Sequence, residues 1–436
     1  MNQDVILEDI VSLCKRRGFI YRGSEIYGGL AGTWDYGPLG SQLKRNLENL
    51  WWHNFVEKRD DMYGIDSAIL MNAKVWQASG HVDTFSDPLV ECSNCHARYR
   101  EDKIDTSKCP NCGKEHTFGE PRQFNLLFKT QVGPLEDEKS VTYLRGETAQ
   151  GMFVNFKNVV DSIYPDIPFG LAQMGRTFRN EISPRDFIFR SREFEIMELE
   201  YFISPETWEK AFEDWREISL KWFELIGLDK DKIKEEELPE NDRAHYSKRT
   251  IDFLYDFPTL GFDEIGGLAY RTDFDLSNHQ KYSSKNLEYR PKDGSAAYIP
   301  HVIEPTYGLD RNVMAVISNS FKKDSINGEE RIYLKLPVDL APIKIAVFPL
   351  LKNKEELVNK ARTIYKSLKD KYNFVAWDDN GNIGKRYRRQ DEIGTPYCVT
   401  VDFDSLEDNS VTLRNRDTTE QKRLSLEELD KELNLT

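Results

Sequence analysis

The sequence predicts an α+β protein built in two parts, and three features of the text predict it. Between residues 141 and 203 strands alternate with a helix and close in a hairpin, FRNEISPRDFIFRSREFEIME (178–198), whose side chains alternate with period two. The segment LKLPVDLAP (334–342) carries two prolines and marks a domain boundary. Beyond it strands and helices alternate, which favours a mostly parallel or mixed sheet with covered faces. A chain of 436 residues is also too long for one ordinary domain. A first domain is therefore expected over 1–340 and a second over 341–436.

Taken in order, the elements begin with a short amphipathic helix carrying Ile6, Leu7, Ile10 and Leu13, followed by a glycine-broken loop. AGTWDYGPLG (31–40) is turn-rich; after it Leu43, Leu47, Leu50, Trp51 and Phe55 recur at helical spacing, a helix of about five turns. Residues 92–112 hold four cysteines and read as an insertion. Residues 205–250 are charged and strongly helical, a second insertion or a surface helix pair. From 262 to 337 come short strands with Gly and Asp turns, then the helix DRNVMAVISNSF. The second domain reads IKIAVFPL, KEELVNKARTIYKSLKD, NFVAWDD, TPYCVTVDF and SVTLRNR, a strand followed by a helix and further strands.

Composition narrows the function. With 39% hydrophobic and 31% charged residues the chain reads as a globular protein, and no run of 18 or more apolar residues exists to span a membrane. MNQDVILEDIVSLCKRR lacks the apolar core and small-residue cleavage site of a signal peptide, so the expected address is the cytoplasm. A net charge of −14 argues against a general DNA or RNA coat but leaves room for a local basic patch.

Cys92-x2-Cys95 and Cys109-x2-Cys112 form two knuckles separated by 13 residues. Four thiolates on tight turns suit tetrahedral Zn²⁺, and a closed sulfur shell makes the metal structural. Four free thiols are the plainer reading, and His96 and His116 are competing ligands. Cys14 and Cys398 stand alone as small buried side chains.

The hairpin packs four arginines among five acids. Period two puts Arg179 and Glu181 on one face of its first strand, SPRD at the turn, and Arg190, Arg192, Phe194, Ile196 and Glu198 on one face of the second. Such a face is either a cross-strand salt-bridge ladder or a socket in which guanidinium groups grip phosphate and a phenylalanine stacks on a base. YLRGETAQG (143–151), YRTDFDL (270–276) and IEPTYGLDRNVMAVI (303–317) add further arginines and carboxylates. Burying unpaired charge costs several kcal/mol per ion, so convergent clusters of this kind favour a charged ligand.

These stretches carry a resemblance. FRNE…REF resembles motif 2 of the class II aminoacyl-tRNA synthetases, GLDR with its apolar helix resembles motif 3, and WDYGPLG lies where motif 1 does. SEIYGGLAGTWDYGPLG, MNAKVWQASGHVDTFSDPLVEC, RGETAQGMFVNF, FRNEISPR, HVIEPTYGLDR, APIKIAVFPL and RRQDEIGTPYCVTVDF all resemble the homodimeric glycyl-tRNA synthetase family, in order and from about residue 5 to about residue 425. The resemblance implies an antiparallel-sheet catalytic core with a zinc-knuckle insertion, followed by an α/β anticodon-binding domain. It implies a glycine–tRNA ligase that uses ATP with Mg²⁺, carries one structural Zn²⁺ per chain and works as a homodimer on tRNA(Gly).

By matching positions it implies a nucleotide site of Arg179, Asn180 and Glu181, the run Phe189, Arg190, Ser191, Arg192, Glu193 and Phe194, then Glu264 and Ile265, and Gly308, Leu309, Asp310 and Arg311. Within it Arg179 would hold the α-phosphate, Arg190 the outer phosphates and Arg311 the base and γ-phosphate, the three catalytic groups. Phe194 would stack on adenine, with Glu181 near the adenine side, and Glu264 would help hold Mg²⁺. The implied glycine site comprises Arg100, Glu147, Phe194, Glu195, Ile196, Met197, Glu198, Arg271, Glu304, Pro305, Thr306, Tyr307 and Gly308. Glu147, Glu198 and Glu304 would take the ammonium, and Thr306 would close the space beside the α-carbon. Two positions depart from the family pattern: Gly146 stands for its proline and Thr306 for its usual serine.

Residues 342–436 balance 17 Lys/Arg against 17 Asp/Glu, so the net charge lies in the rest of the chain. Lys385, Arg386, Arg388 and Arg389 gather around Tyr387, either a solvated basic turn or a tRNA contact. A folded relative without catalysis, or a synthetase for threonine, proline or histidine, is the alternative function. The retained Arg179, Arg190 and Arg311 disfavour the first, and the acidic trio beside a blocked pocket disfavours the second.

Overall fold

A computed structural model describes residues 5–135, 137, 140–326 and 328–433. Its centre is a seven-stranded sheet. In chain order the strands are β1 (Met62–Gly64), β2 (Phe169–Phe178), β3 (Glu193–Ile203), β4 (Ile233–Glu237), β5 (Arg249–Phe257), β6 (Gly261–Thr272) and β7 (His301–Gly308). In space they run β4-β5-β6-β7-β3-β2-β1, every pair antiparallel except β1 with β2.

Period two gives each face its character. Met197, Leu199, Tyr201 and Ile203 of β3 and Ile303 and Tyr307 of β7 enter the main core beneath the sheet. That core is closed by helix α1 (Leu7–Arg17), α2 (Pro38–Trp52), α4 (Trp208–Leu225) and α6 (Leu309–Ser320). At the start of α2, Gly40 is required: a Cβ there would lie 1.9 Å from the carbonyl oxygen of Phe19. The opposite face is covered at one end by α3 (Ala149–Ile163) and α5 (Phe274–Ser283), where Phe153, Phe156, Phe169, Leu171, Phe202 and Leu276 make a second core. The rest of that face stays open and polar.

The hairpin differs from its sequence reading. β2 ends at Phe178 and β3 begins at Glu193, so Arg179, Glu181, Arg190 and Arg192 lie in the connection rather than on strand faces. Asp186 and Phe187 have φ of 61° and 59°, a left-handed step no strand can continue through. Asp186 also opens a 3₁₀ turn over Phe187–Phe189. The neck is closed by Arg179 N–H donating to Arg192 O at 3.0 Å.

Residues 205–250 are likewise corrected. Only the first half is helical, and it is not surface decoration: α4 buries Phe212, Trp215, Trp222 and Phe223 against the sheet. The second half supplies edge strand β4 and the approach to β5. Aromatic residues at helical spacing outweigh the intervening charge, which is the mark of a core-facing stripe. Helix α5 was not anticipated; its apolar signal is weak, since it buries only Asp275, Leu276 and His279.

The C-terminal sheet contains β8 (Ile345–Pro349), β9 (Val375–Trp377), β10 (Tyr397–Val401), β11 (Ser410–Asn415) and β12 (Gln421–Ser425), in the order β9-β8-β10-β11-β12. β8 pairs in parallel with β9 and β10 and the remainder is antiparallel, a mixed sheet. Helices α7 (Glu355–Lys371) and α8 (Ile383–Ile393) belong to this unit. The hairpin Phe321–Leu334 docks on the C-terminal unit through Arg331, whose guanidinium meets Asp391 of α8 at 3.5 Å and donates to Arg416 O at 2.8 Å. Among the described residues no helix is long and apolar enough to cross a membrane.

Candidate active site

The open face of the large sheet carries a cavity of about 100 Å³ lined by Arg179, Glu181, Phe189, Arg190, Ser191, Phe194, Ile196, Glu198, Glu264, Thr306, Gly308 and Arg311, among others. Register explains the gathering. Glu198 of β3 lies beside Gln173 of β2 and Thr306 of β7, and Ile196 lies beside Gly308, so alternate residues of adjacent strands share one row of the face.

Three guanidinium groups stand around the cavity. Arg179 Nε donates to Gly146 O at 3.2 Å, and its guanidinium carbon lies 5.4 Å from the Phe194 ring and 5.2 Å from Phe85. Arg311, in the first turn of α6, donates to the Glu264 carboxylate at 2.8 Å and to Phe189 O at 3.3 Å, over the Phe189 ring at 4.5 Å. Arg190 has a loose partner, Glu181 Oε2 at 3.9 Å. That oxygen is buried and accepts no hydrogen bond.

Below them lies an acidic floor. Glu198 Oε2 accepts from the backbone N–H of Thr148 at 2.6 Å and of Ala149 at 3.0 Å, and from the Thr148 hydroxyl, so the carboxylate caps α3. Burial and the nearby Glu147 nevertheless raise its pKa. Glu147 Oε1 accepts from Gln150 Nε2 at 2.9 Å, and Oε2 lies 3.2 Å from His81 Nε2. Burial pushes the Glu147 carboxyl up, but His81, Arg271 and Gln150 together hold it well below the ordinary carboxylate range. Burial pushes Glu304 up to about 8, against the pull of Arg271.

Arg271 sits underneath and is wholly buried. It donates to Asp275 through Nε (2.8 Å) and Nη2 (2.9 Å) and to Glu304 through Nη1 (2.7 Å), with its guanidinium 3.6 Å from the Tyr246 ring. It therefore orders the floor and does not line the cavity. The floor remains rich in carboxylates around one buried guanidinium, a field suited to a small cation.

Sequence reasoning missed four members of this network: His81, Gln150, Asp275 and Glu200. Glu200 had a signal, since period two places it with Glu198 on the cavity-side face of β3. It is 0% exposed and neither carboxyl oxygen accepts a hydrogen bond. Burial and neighbouring Glu304 raise its pKa well above the ordinary range. A carboxyl whose folded pKa is raised adds stability at low pH and loses it as pH climbs from the unfolded pKa through the folded one. Glu200→Gln is therefore expected to gain stability relative to the parent between about pH 5 and pH 8, by at most about 1.4 kcal/mol per pH unit. Chemical denaturation across that range checks it; parallel stability curves would remove the claim.

Most other expected residues stand elsewhere. Arg192 turns from the cavity, donating to Glu181 O at 3.0 Å and Ala31 O at 3.0 Å. Asn180 N–H donates to Leu126 O. Glu193 faces the back of the strand, where Arg176 lies 2.5 Å from it; Glu195 lines the cavity but sends its carboxylate to Lys44 at 2.5 Å. Met197, Ile265, Tyr307 and Leu309 are core residues, and Pro305 is a buried member of β7. Asp310 lines the cavity and accepts from Tyr36 and, at 2.6 Å, from Glu195 N–H. Arg100 pairs with Asp87 at 2.9 Å and Asp102 at 2.7 Å on the small sheet beside the cysteines, within electrostatic reach of Glu181 of the cavity lining. At Gly146 a Cβ would come within 3.2 Å of Phe85 and 3.3 Å of Leu127; these side chains fill the space instead.

The basic run 385–389 is a helix and not a turn: Asn382 caps α8 and Gly394 ends it at φ 81°. Helical geometry sends Arg386 inward, where it donates to the carbonyls of Pro349, Asp379 (3.1 Å) and Gly381 (2.7 Å). Arg386 thus joins loops within its own domain and offers no surface charge. Arg389 is held by Asp378 at 2.7 Å and Arg388 faces Glu329 at 3.5 Å, while Lys385 is exposed.

Cys92, Cys95, Cys109 and Cys112 converge with all four sulfurs within 4.8 Å of one another. Cys92 Sγ lies 3.8 Å from Cys112 Sγ, and Cys95 Sγ 3.7 Å from Cys109 Sγ. A tetrahedral zinc with Zn–S bonds of about 2.3 Å requires sulfur separations of about 3.8 Å. The donor set fits that metal.

An antiparallel sheet with arginines in the β2–β3 loop, a further arginine at the start of the following helix and a mixed α/β domain behind it define an aminoacyl-tRNA synthetase of class II. The profile described as tRNA synthetase class II core domain (G, H, P, S and T) matches residues 128–379, and that described as Anticodon binding domain matches 344–434. The chain is 46% identical to the glycine–tRNA ligase of Thermobifida fusca, over 98% of this chain and 97% of that one. It is 47% identical to that of Borrelia hermsii (97% and 96%) and 46% identical to that of Caldanaerobacter subterraneus (98% of each). The chain belongs to the glycine–tRNA ligase family.

Proposed function

We propose that this chain activates glycine with ATP and transfers the glycyl group to the 3′ end of tRNA(Gly), releasing pyrophosphate and then AMP. The observation that carries the reading is the meeting of Glu198, backed by buried Glu147 and Glu304, with the guanidinium groups of Arg179, Arg190 and Arg311 around one cavity. The floor takes the glycine ammonium. A glycine carboxylate oxygen attacks the α-phosphorus, the Pα–O bond to the β-phosphate breaks, and pyrophosphate departs. A hydroxyl of the terminal ribose then attacks the glycyl carbonyl carbon, and AMP leaves with the electron pair of the broken anhydride bond and takes up the hydroxyl proton. No side chain acts as nucleophile; Arg179 and Arg190 position the phosphates and meet the charge developing on them, with Phe194 against the adenine and Arg311 over the base and γ-phosphate.

Mg²⁺ accompanies ATP. The Glu264 carboxylate and the orphaned Glu181 Oε2 are hard oxygen donors suited to it, and when bound it neutralises phosphate charge. Zn²⁺ is a structural ion on the four cysteines. About one zinc per chain is expected in freshly purified reduced protein, and Cys109→Ser is expected to loosen residues 90–120 before exchange activity falls. Protein free of zinc with an ordered knuckle would end that assignment.

Residues 1–340 carry the chemistry and 341–436 take the anticodon arm, with exposed Lys385 and half-buried Arg388 as basic contacts; buried Arg386 is not among them. Assembly is as a homodimer through the segment 31–59, although Trp51 is buried within its own chain and so is not part of that surface. Just before it Ile26 and Tyr27 are 89% and 87% exposed, apolar surface beside the segment. A monomeric mass by light scattering at micromolar concentration would exclude the dimer.

Selectivity rests on volume. Thr306, between Glu198 and Gly267 on the face, narrows the space beside the α-carbon, so a side chain larger than hydrogen meets atoms rather than losing a contact. ATP–pyrophosphate exchange with each of the twenty amino acids tests the reading. Exchange is expected with glycine alone. Equal exchange with alanine or serine, or none with any amino acid, would overturn it.

A further inference from the structure

The structure assigns to His81 a positioning role: it aims the Glu147 carboxylate at the substrate ammonium, an inference that rests on the function proposed above. Gly80, at φ 82°, turns the chain so that a one-turn helix begins at His81 and points the imidazole inward. The ring is 2% exposed, with the Trp76 ring 5.4 Å and the Phe85 ring 5.2 Å from it, centre to centre. Both nitrogens are engaged. Nδ1 lies 2.8 Å from Ser79 Oγ, and Nε2 lies 3.2 Å from Glu147 Oε2. The carboxylate has only acceptors, so Nε2 carries a proton and donates to it. Ser79 is fixed in turn: its hydroxyl oxygen lies 3.3 Å from Trp76 O and its carbonyl meets His245 Nε2 at 3.1 Å.

Glu147 needs such a brace. It precedes α3 in a turn where Gly146 supplies no ring to stiffen the backbone. Gln150 Nε2 holds one oxygen and is shared with Asp275 at 2.9 Å, leaving His81 as the donor on the other. Neither His81 nor Glu147 is among the residues lining the cavity; His81 stands behind Glu147 and acts on the substrate only through it.

A pair of adenylate mimics tests this: 5′-O-(glycylsulfamoyl)adenosine, and the acetyl compound in which hydrogen replaces the ammonium. In His81→Ala the glycyl compound is expected to bind about 10- to 100-fold more weakly, the range for a lost hydrogen bond to a charged group, with the acetyl compound within about threefold. His81→Gln, whose amide nitrogen can occupy the place of Nε2, is expected to recover glycyl binding. His81→Asn, which reproduces only the Nδ1 side, is not. The Gln and Asn pair decides the matter if the alanine variant fails to fold. Equal weakening of both compounds, or equal rescue by Gln and Asn, would mean that His81 merely fills the core and would overturn the inference. Failure of the unaltered protein to prefer the glycyl compound would instead overturn the proposed function.

Discussion

Arg179→Ala is expected to abolish glycine-dependent ATP–pyrophosphate exchange while leaving a folded protein. The side chain has little structural work: its one hydrogen bond within the described residues is from Nε to Gly146 O at 3.2 Å, leaving the outer fork free beside the Phe194 ring. A guanidinium placed where phosphate charge develops contributes to the transition state more than to the ground state. Removing one such donor costs about 10²–10³ in rate, roughly 3–4 kcal/mol. Arg179→Lys restores the charge but not the two-pronged grip, so only part of the activity should return. An alanine variant that melts like the parent and exchanges at the parent's rate would show that the loop does not hold the phosphates.

Arg271→Met is expected to damage the fold itself. The parent guanidinium is 0% exposed and makes three hydrogen bonds to Asp275 and Glu304, with Glu147 3.8 Å away. Methionine fills much of the volume but leaves those carboxylates facing one another without a cation. Removing one partner of a buried ion pair costs about 3–5 kcal/mol, a large share of the roughly 5–15 kcal/mol that holds a domain together. The denaturation midpoint should fall sharply, and whatever remains folded should bind glycine poorly. Adding Asp275→Asn should recover part of the loss, because it removes one of the stranded charges. A midpoint unchanged in Arg271→Met would show that Arg271 is dispensable to the floor.

These two arginines also show how far the sequence could be read. Local periodicity placed Phe194, Ile196 and Glu198 on one face of β3 because strand geometry fixes it residue by residue. The same period misled for Arg179, Glu181, Arg190 and Arg192, since two left-handed residues, Asp186 and Phe187, break the strand and no alternation records that. The cysteine spacing was legible because a knuckle is a local object. Arg271, Arg386 and Asp310 carry charge yet lie inside, and what draws them in is tertiary: carboxylates from another strand or helix for Arg271, loop carbonyls for Arg386, and a tyrosine and a backbone N–H for Asp310. His81 lies far before Glu147 in the chain, and only the folded sheet and helices make them neighbours. In residues 205–250 the charges drew attention from the tryptophan stripe that actually seats α4.

Glu198, Thr306 and Gly267 occupy one row across three hydrogen-bonded strands. Neighbouring strands sit about 4.8 Å apart because the peptide hydrogen bond has a fixed length. On the proposed reading, the width of the glycine pocket is therefore ruled by backbone spacing and not by the packing of a movable loop. The wall is widened by changing a side chain carried on that frame, as Thr306→Ser would by one methyl group, whereas a loop-walled pocket could also yield by a shift of its backbone. On that reading, discrimination against the next larger amino acid rests on side chains held in place by the mechanical stiffness of the sheet.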